Sequence, residues 1–211
     1  MFTPTENTVT AGVPVDHATK VLIMVHGRSA RAEHMIPLRQ FLALKGAAVF
    51  APQAPGDSWY PYSFLEPQAL NQPALDNALR IIDRLVNDIA ADGIPVKNIY
   101  FLGFSQGACL ILEYATRNAR RYGGIVAFTG GLIGKELIME NYKGDFKETP
   151  VLITTGYTDT HVPLTRVKES GGVMQKMNAV IKIMAYPNKQ HAITDEEIQL
   201  ANSIIFREHL D

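Results

Sequence analysis

The sequence predicts an α/β fold with a mostly parallel central sheet and helices on both faces. Three observations predict it. Strand-like and helix-like stretches alternate along the chain. The strand-like stretches are continuous apolar runs, as suits strands buried on both faces. The clearest helical stretch carries its apolar residues on one stripe at three- and four-residue spacing. With 211 residues, 46% of them apolar, the chain can bury a substantial core. It shows no linker, repeat or low-complexity stretch, so it reads as one domain over residues 1–211.

Residues 3 to 19 are rich in Thr and Val around Gly12-Val13-Pro14, which predicts a short edge hairpin. Lys20 to Val25 is β-branched and aliphatic, a buried strand that ends at His26-Gly27. A helix is expected from Glu33 or Pro37 to Lys45, with Pro37 in its first turn and Gly46 as its stop. Ala47 to Ala51 is the next strand. Pro52 to Leu70 has neither period and holds four prolines with Trp59, Tyr60, Tyr62 and Phe64. A connection that long in a compact domain is more often functional than idle. Leu75, Ala78, Leu79, Ile82, Leu85, Val86 and Ile89 then form the helical stripe, closed by Asp92-Gly93-Ile94-Pro95.

Ile99 to Leu102 reads as a buried strand, and Ala108 to Ala115 as a buried helix. Gly124 to Phe128 is another strand, followed by a second long connection, Thr129 to Thr149. Val151 to Thr155 is a strand and Pro163 to Met177 a helix, weakened by Gly171-Gly172 at about 1 kcal/mol per Gly. Val180 to Ala185 is the last strand. Thr194-Asp195-Glu196-Glu197 is a capping box that opens a C-terminal helix with Ile198, Ala201 and Ile205 inward.

Composition narrows the function. The formal net charge is −1, and Lys and Arg are scattered, so a nucleic-acid surface is not expected. No apolar run approaches the roughly 20 residues that span a bilayer, so stable membrane insertion is not expected either. Met1 to Thr10 is polar and lacks the apolar core of a secretory signal. The single cysteine, Cys109, rules out an internal disulfide and fits a reducing, cytoplasmic compartment. The oligomeric state stays open, a homodimer included.

The chemistry concentrates at Gly103-Phe104-Ser105-Gln106-Gly107, between the strand at Ile99 and the helix at Ala108. A strand that turns at once into a helix puts its hinge residue in a strained conformation. Small residues two before and two after let neighbouring backbone approach. The hinge serine is then presented at the tip, over the positive end of a helix. A Gly-rich turn with an incidental serine would give the same five residues, but the strand before and the helix after are what the motif requires.

Functional groups in such a sheet collect just past the C-terminal ends of strands. A serine nucleophile needs a base, and the base needs a carboxylate. Ser105, Asp159 and His191 all fall there, in that chain order. Six histidines compete for the base. His17 and His209 lie in segments read as exposed, His34 in a surface helix and His26 in a turn. His161 is the serious rival, but it sits two residues after Asp159 in the loop better suited to supply the acid. Asp57 and Asp145 are weaker candidates for the carboxylate because neither directly follows a strand end. The oxyanion donors are expected at the backbone N–H groups of Gln106 and Arg28. Trp59 and Phe64, with Gly27 beside them, are the expected substrate contacts. Cys109 reads as a buried apolar residue. Asp159-Thr160-His161 has no third ligand nearby, so no metal and no cofactor are expected.

Four segments resemble the phospholipase/carboxylesterase family of α/β-hydrolases, which includes the acyl-protein thioesterases. They are Val25-His26-Gly27-Arg28, Gly103-Phe104-Ser105-Gln106-Gly107-Ala108, Gly156-Tyr157-Thr158-Asp159-Thr160-His161-Val162-Pro163 and His191-Ala192-Ile193. The resemblance runs from about Lys20 to the C-terminus. It implies an α/β-hydrolase fold and a carboxylesterase acting on a small-molecule ester or thioester, with Ser105, Asp159 and His191 as triad. Lysophospholipase or acyl-protein thioesterase activity is the alternative. A dienelactone-type hydrolase would more often carry Cys at the elbow, and a non-catalytic binding protein would lack a triad member. The chain departs from many relatives at Gln190, Ser29 and Arg28, which bears on substrate more than on chemistry.

Overall fold

A computed structural model describes residues 7–206. Residues 3 to 6 of the expected hairpin, and His209, lie outside the described residues. Seven strands form one sheet: β1 (Thr8–Gly12), β2 (Lys20–Val25), β3 (Ala47–Pro52), β4 (Ile99–Phe104), β5 (Gly124–Phe128), β6 (Pro150–Gly156) and β7 (Val180–Tyr186). Their order is β1-β3-β2-β4-β5-β6-β7. Every pairing is parallel except β1 with β3.

The parallel strands follow from their composition. Successive residues point to opposite faces, and both faces are covered. Val21, Ile23 and Val25 join a core with the helices α2 (Ala74–Ala91), α3 (Gln106–Arg117) and α4 (Leu164–Lys176). Leu22 and Met24 join a second core with Met35, Leu42, Ile198, Ile205 and Phe206. The predicted stripe of α2 is buried at Leu75, Ala78, Ile82, Leu85, Val86 and Ile89. α3 is apolar almost all round because it lies between the sheet and its neighbours. A short helical turn, α1 (Gln68–Asn71), precedes α2.

Two local expectations need correction. The N-terminal segment is an edge strand but not a hairpin. β1 runs antiparallel to β3, because β2 is already flanked by β3 and β4 and has no edge left. The stretch from Glu33 to Lys45 is not an α-helix. It forms two tight 3₁₀ turns, Ala32–His34 and Ile36–Phe41. Side chains from elsewhere take up its backbone groups. Gln53 Oε1 accepts the Ala32 N–H at 2.8 Å, while Asn202 accepts from Ala43 N and donates to Phe41 O, both at 2.7 Å. The second face is therefore covered mainly by these turns and by α5 (Asp195–Ala201).

The doubtful glycine pair in α4 has a packing reason at one position. A Cβ on Gly171 would lie 2.7 Å from Ile183 Cδ1, so the glycine lets the helix settle against β7. The capping box forms as expected. Thr194 Oγ1 accepts the Glu197 N–H at 3.3 Å, and Glu197 Oε2 accepts the Thr194 N–H at 2.9 Å. Ile198, Ala201 and Ile205 are buried beyond it.

The strand order fixes where a site can form. From β2 the chain goes one way to β3, then returns past β2 to β4. The reversal opens a crevice at the C-terminal ends of β2 and β4, where ligands bind in open α/β sheets. Those ends carry His26-Gly27-Arg28 and Ser105.

Candidate active site

Ser105 joins β4 to α3 at φ 52° and ψ −118°, a conformation L-residues rarely adopt. Its flanking glycines hold the turn there. A Cβ on Gly103 would lie 2.6 Å from the Gly107 carbonyl oxygen and 2.7 Å from Ala108 N. A Cβ on Gly107 would lie 2.2 Å from the Val25 carbonyl oxygen and 2.5 Å from that of His26. These are backbone atoms and cannot swing away. The first turn of α3 is thus pressed onto the end of β2, and the strain at Ser105 is maintained by packing around it.

Two loops bring partners to the serine. His191 follows β7, and its Nε2 lies 2.8 Å from Ser105 Oγ. Asp159 follows β6, and its Oδ2 lies 2.8 Å from His191 Nδ1. The second carboxylate oxygen accepts N–H bonds from His161 at 2.8 Å and Val162 at 2.9 Å. Burial pushes the Asp159 carboxyl up, but the hydrogen bonds from His191, Val162 and His161 outweigh it, and the net shift is downward. Asp159 is therefore ionised and only accepts. Nδ1 of His191 must therefore carry a proton, and in the neutral ring Nε2 is the acceptor for the serine hydroxyl.

His161 lines the same cleft, but among the described residues the rival groups make no hydrogen bond to Ser105. The ring of His161 stands edge-on to His191 with centroids 5.1 Å apart, and it is His191 that is bonded to Ser105. His17 and His34 are exposed. His26 is fully buried; its Nδ1–H donates to Gly27 O at 2.7 Å and its Nε2 accepts the Ala54 N–H at 3.0 Å. Asp57 accepts from Gln53 at 2.9 Å, and Asp145 is a surface group bonded to Lys147 N and Asn178.

Gln106 is the first residue of α3, so its N–H has no acceptor one turn earlier in the helix. Arg28 sits across the crevice after β2. The next N–H, that of Ser29, donates to Asp57 O at 2.8 Å. The side chains of these two residues do a second task. Gln106 Oε1 accepts the Trp59 N–H at 2.9 Å, and its Nε2 donates to Tyr60 O at 2.8 Å. The Arg28 guanidinium donates to Pro61 O at 2.8 Å, Tyr62 O at 2.7 Å and Ser58 Oγ at 3.2 Å. The aromatic loop is hung from the residues on either side of the serine.

A cleft of about 600 Å³ opens over Ser105 and His191. Gly27 and Phe64 line it. Trp59 does not, which corrects the expectation. Its indole is buried behind the wall, where Nε1–H donates to the His26 carbonyl at 2.9 Å and the ring packs on His26. Its place is taken by Tyr60, Leu65 and Phe104, with Cys109 below. Tyr60 belongs to the same aromatic run and is as buried as Trp59, but it faces the cleft while the indole is turned to the His26 carbonyl. The Cys109 thiol is pushed up to about 12, first by burial, so it is an apolar floor rather than a nucleophile. Tyr62, 55% exposed, stands at the rim. Among the described residues no cluster of three or more His, Cys, Asp or Glu could hold a metal ion, and no helix is long and apolar enough to cross a membrane.

A sequence model of a family described as Phospholipase/Carboxylesterase matches residues 8–207. The crystal structure of a phospholipase/carboxylesterase from Dyadobacter fermentans DSM 18053 is similar at a TM-score of 0.94 and 54% identity, covering 98% of this chain and 99% of that one. A probable carboxylesterase of Oryza sativa subsp. japonica is 27% identical over 207 residues, covering 90% of this chain and 77% of that protein. A probable carboxylesterase of Arabidopsis thaliana is 28% identical over 133 residues, 63% of this chain and about half (51%) of that protein's length.

The buried His26 makes a pH prediction. Burial lowers its pKa below 6.5, outweighing the bond to Gly27. Above about pH 6.5 the histidine is neutral folded or unfolded, and below it the unfolded chain takes the proton first. Stability therefore falls as pH drops from about 6.5 toward the lower folded value. Urea midpoints at about pH 7.5 and about pH 5.5 should fall further in the parent protein than in His26→Gln. Equal drops would mean that His26 titrates alike in both states.

Proposed function

The chain belongs to the phospholipase/carboxylesterase family, and on that premise we propose that it is a serine carboxylesterase that cleaves esters of small to medium acyl chain through an acyl-enzyme on Ser105. The observation that carries this reading is the hydrogen-bonded row Ser105–His191–Asp159, 2.8 Å at each link. It stands at the tip of a strained strand–helix turn in the crevice between β2 and β4.

In this reading Ser105 Oγ attacks the ester carbonyl carbon while His191 Nε2 takes its proton. The N–H groups of Gln106 and Arg28 hold the oxygen that becomes negative, aided by the positive end of α3. The intermediate collapses, the bond to the leaving oxygen breaks, and His191 protonates the departing alcohol. Water then enters, gives its proton to His191 and attacks the acyl carbon. The acid leaves and Oγ recovers its proton. Asp159 keeps the imidazole in one tautomer and stabilises the imidazolium; it does not itself take up a proton.

Size selection follows from the cleft. Tyr60 and Phe64, 2% and 6% exposed, form a fixed wall. Rings pinned by Gln106, Arg28 and buried packing do not yield to a long chain, so the acyl pocket fills and then stops.

Two outcomes test the reading. Ser105→Ala and His191→Ala should each lower turnover on the order of a millionfold in a folded protein, because triad members act as a unit. His161→Ala should be far milder. Steady-state rates on a chromogenic ester decide it, and His161→Ala alone abolishing activity would reverse the base assignment. The second outcome concerns chain length. The ratio kcat/KM should rise about fourfold per carbon, from about 0.8 kcal/mol per buried methylene, while the pocket fills. It should then level off, and Phe64→Ala should move the levelling point to longer chains. A profile still rising at palmitoyl length, and indifferent to Phe64→Ala, would remove the size limit.

A further inference from the structure

Lys189 is a charged side chain that the chemistry above does not use, yet it lies two residues before His191. Its side chain is 2% exposed. The ammonium donates to Thr129 Oγ1 at 2.9 Å, reaches the Gln190 carbonyl at 3.5 Å and faces Glu197 Oε1 at 3.4 Å. Glu197 is itself fully buried. Its Oε1 also accepts from the Thr154 hydroxyl, and its Oε2 accepts from the N–H and hydroxyl of Thr194 at 2.9 and 3.0 Å. Four parts of the fold meet at this one ion pair: the end of β5, the middle of β6, the start of α5 and the loop that carries His191.

The arrangement is costly in ways a stable sheet does not require. A buried ion pair is a poor stabiliser, since an apolar pair of similar volume often serves as well. Thr129 is a β-branched residue held at φ 60°, a conformation that such a residue adopts only under constraint. That backbone setting goes with a hydroxyl aimed at Lys189. The loop is also seated tightly on the strand that leads to Asp159: a Cβ on Gly156 would lie 2.9 Å from the Lys189 carbonyl oxygen. The acid loop and the base loop are therefore fixed against each other at this point.

We infer that Lys189 is a positioning residue: its ammonium, clamped by Thr129 and Glu197, fixes the 187–194 loop and so holds His191 Nε2 within hydrogen-bonding reach of Ser105. The inference rests on the reading of His191 as the base. What Lys189 contributes is orientation, which acts on turnover, because a misplacement of about 1 Å at a reacting group can cost roughly a hundredfold.

The test compares Thr129→Val, Thr129→Ser and the double variant Lys189→Met with Glu197→Gln. The double variant removes both charges, so neither is left buried alone. Each is measured for kcat and KM on one chromogenic ester and for rate of labelling by a fluorophosphonate. Circular dichroism and a urea midpoint check the fold. Thr129→Val and the double variant should lower kcat and the labelling rate roughly ten- to a hundredfold, with KM changed by less than about twofold. Thr129→Ser keeps the hydroxyl and should restore kcat. A folded double variant with parental kcat, or a change confined to KM, would overturn the inference. If the double variant does not fold, Thr129→Val with parental kcat overturns it equally. Failure of the premise looks different: His191→Ala would then retain activity.

Discussion

Everything at the site depends on how closely the first turn of α3 approaches the end of β2. Gly107 leaves no room for even a methyl group against the carbonyls of Val25 and His26. Gly103 leaves none against the backbone of Gly107 and Ala108. With side chains excluded at both places, the chain can pass from β4 into α3 through a single left-handed residue. That residue is Ser105. The helix end, the serine oxygen and the end of β2 are then in one place, and the strand order supplies the crevice above them.

The rest of the site is attached to that turn by side chains that sequence patterns do not advertise. Gln106 lies beside the serine, and its amide carries the backbone of Trp59 and Tyr60. Arg28 holds Pro61 and Tyr62 from the other side. His26 joins the same group by accepting from Ala54 and by presenting its carbonyl to the Trp59 indole. The loop that walls the cleft is irregular in secondary structure but fully specified in its hydrogen bonds. The 129–149 connection is fixed on a similar plan. Buried Glu113 on α3 accepts the Ile133 N–H and the Tyr142 hydroxyl, and pairs with Arg117 at 2.8 Å.

The sequence made the sheet and the row of polar groups legible for a physical reason. Strands buried on both faces must be continuous apolar runs, and a strand–helix turn this tight demands glycine at both flanks. Those constraints act through composition at fixed spacing. Three other outcomes were not legible because they depend on partners far away in the chain. The stretch around Pro37 reads as a helix by its leucines, yet Gln53 and Asn202 satisfy its backbone and leave only 3₁₀ turns. Trp59 and Tyr60 are adjacent large aromatics, and which one faces the cleft is decided by whether His26 offers a carbonyl to an indole N–H. Lys189 reads as an ordinary loop lysine; nothing local shows that Glu197 and Thr129 enclose it.

The proposed chemistry rests on acylation of Ser105. The most direct measurement exposes the native protein to a fluorophosphonate, digests it, and locates the added mass by peptide sequencing. One adduct is expected, on the peptide containing Gly103 to Gly107 and at Ser105, absent when the protein is unfolded in urea before exposure. An adduct on a different residue, or none while the protein still hydrolyses esters, would contradict it.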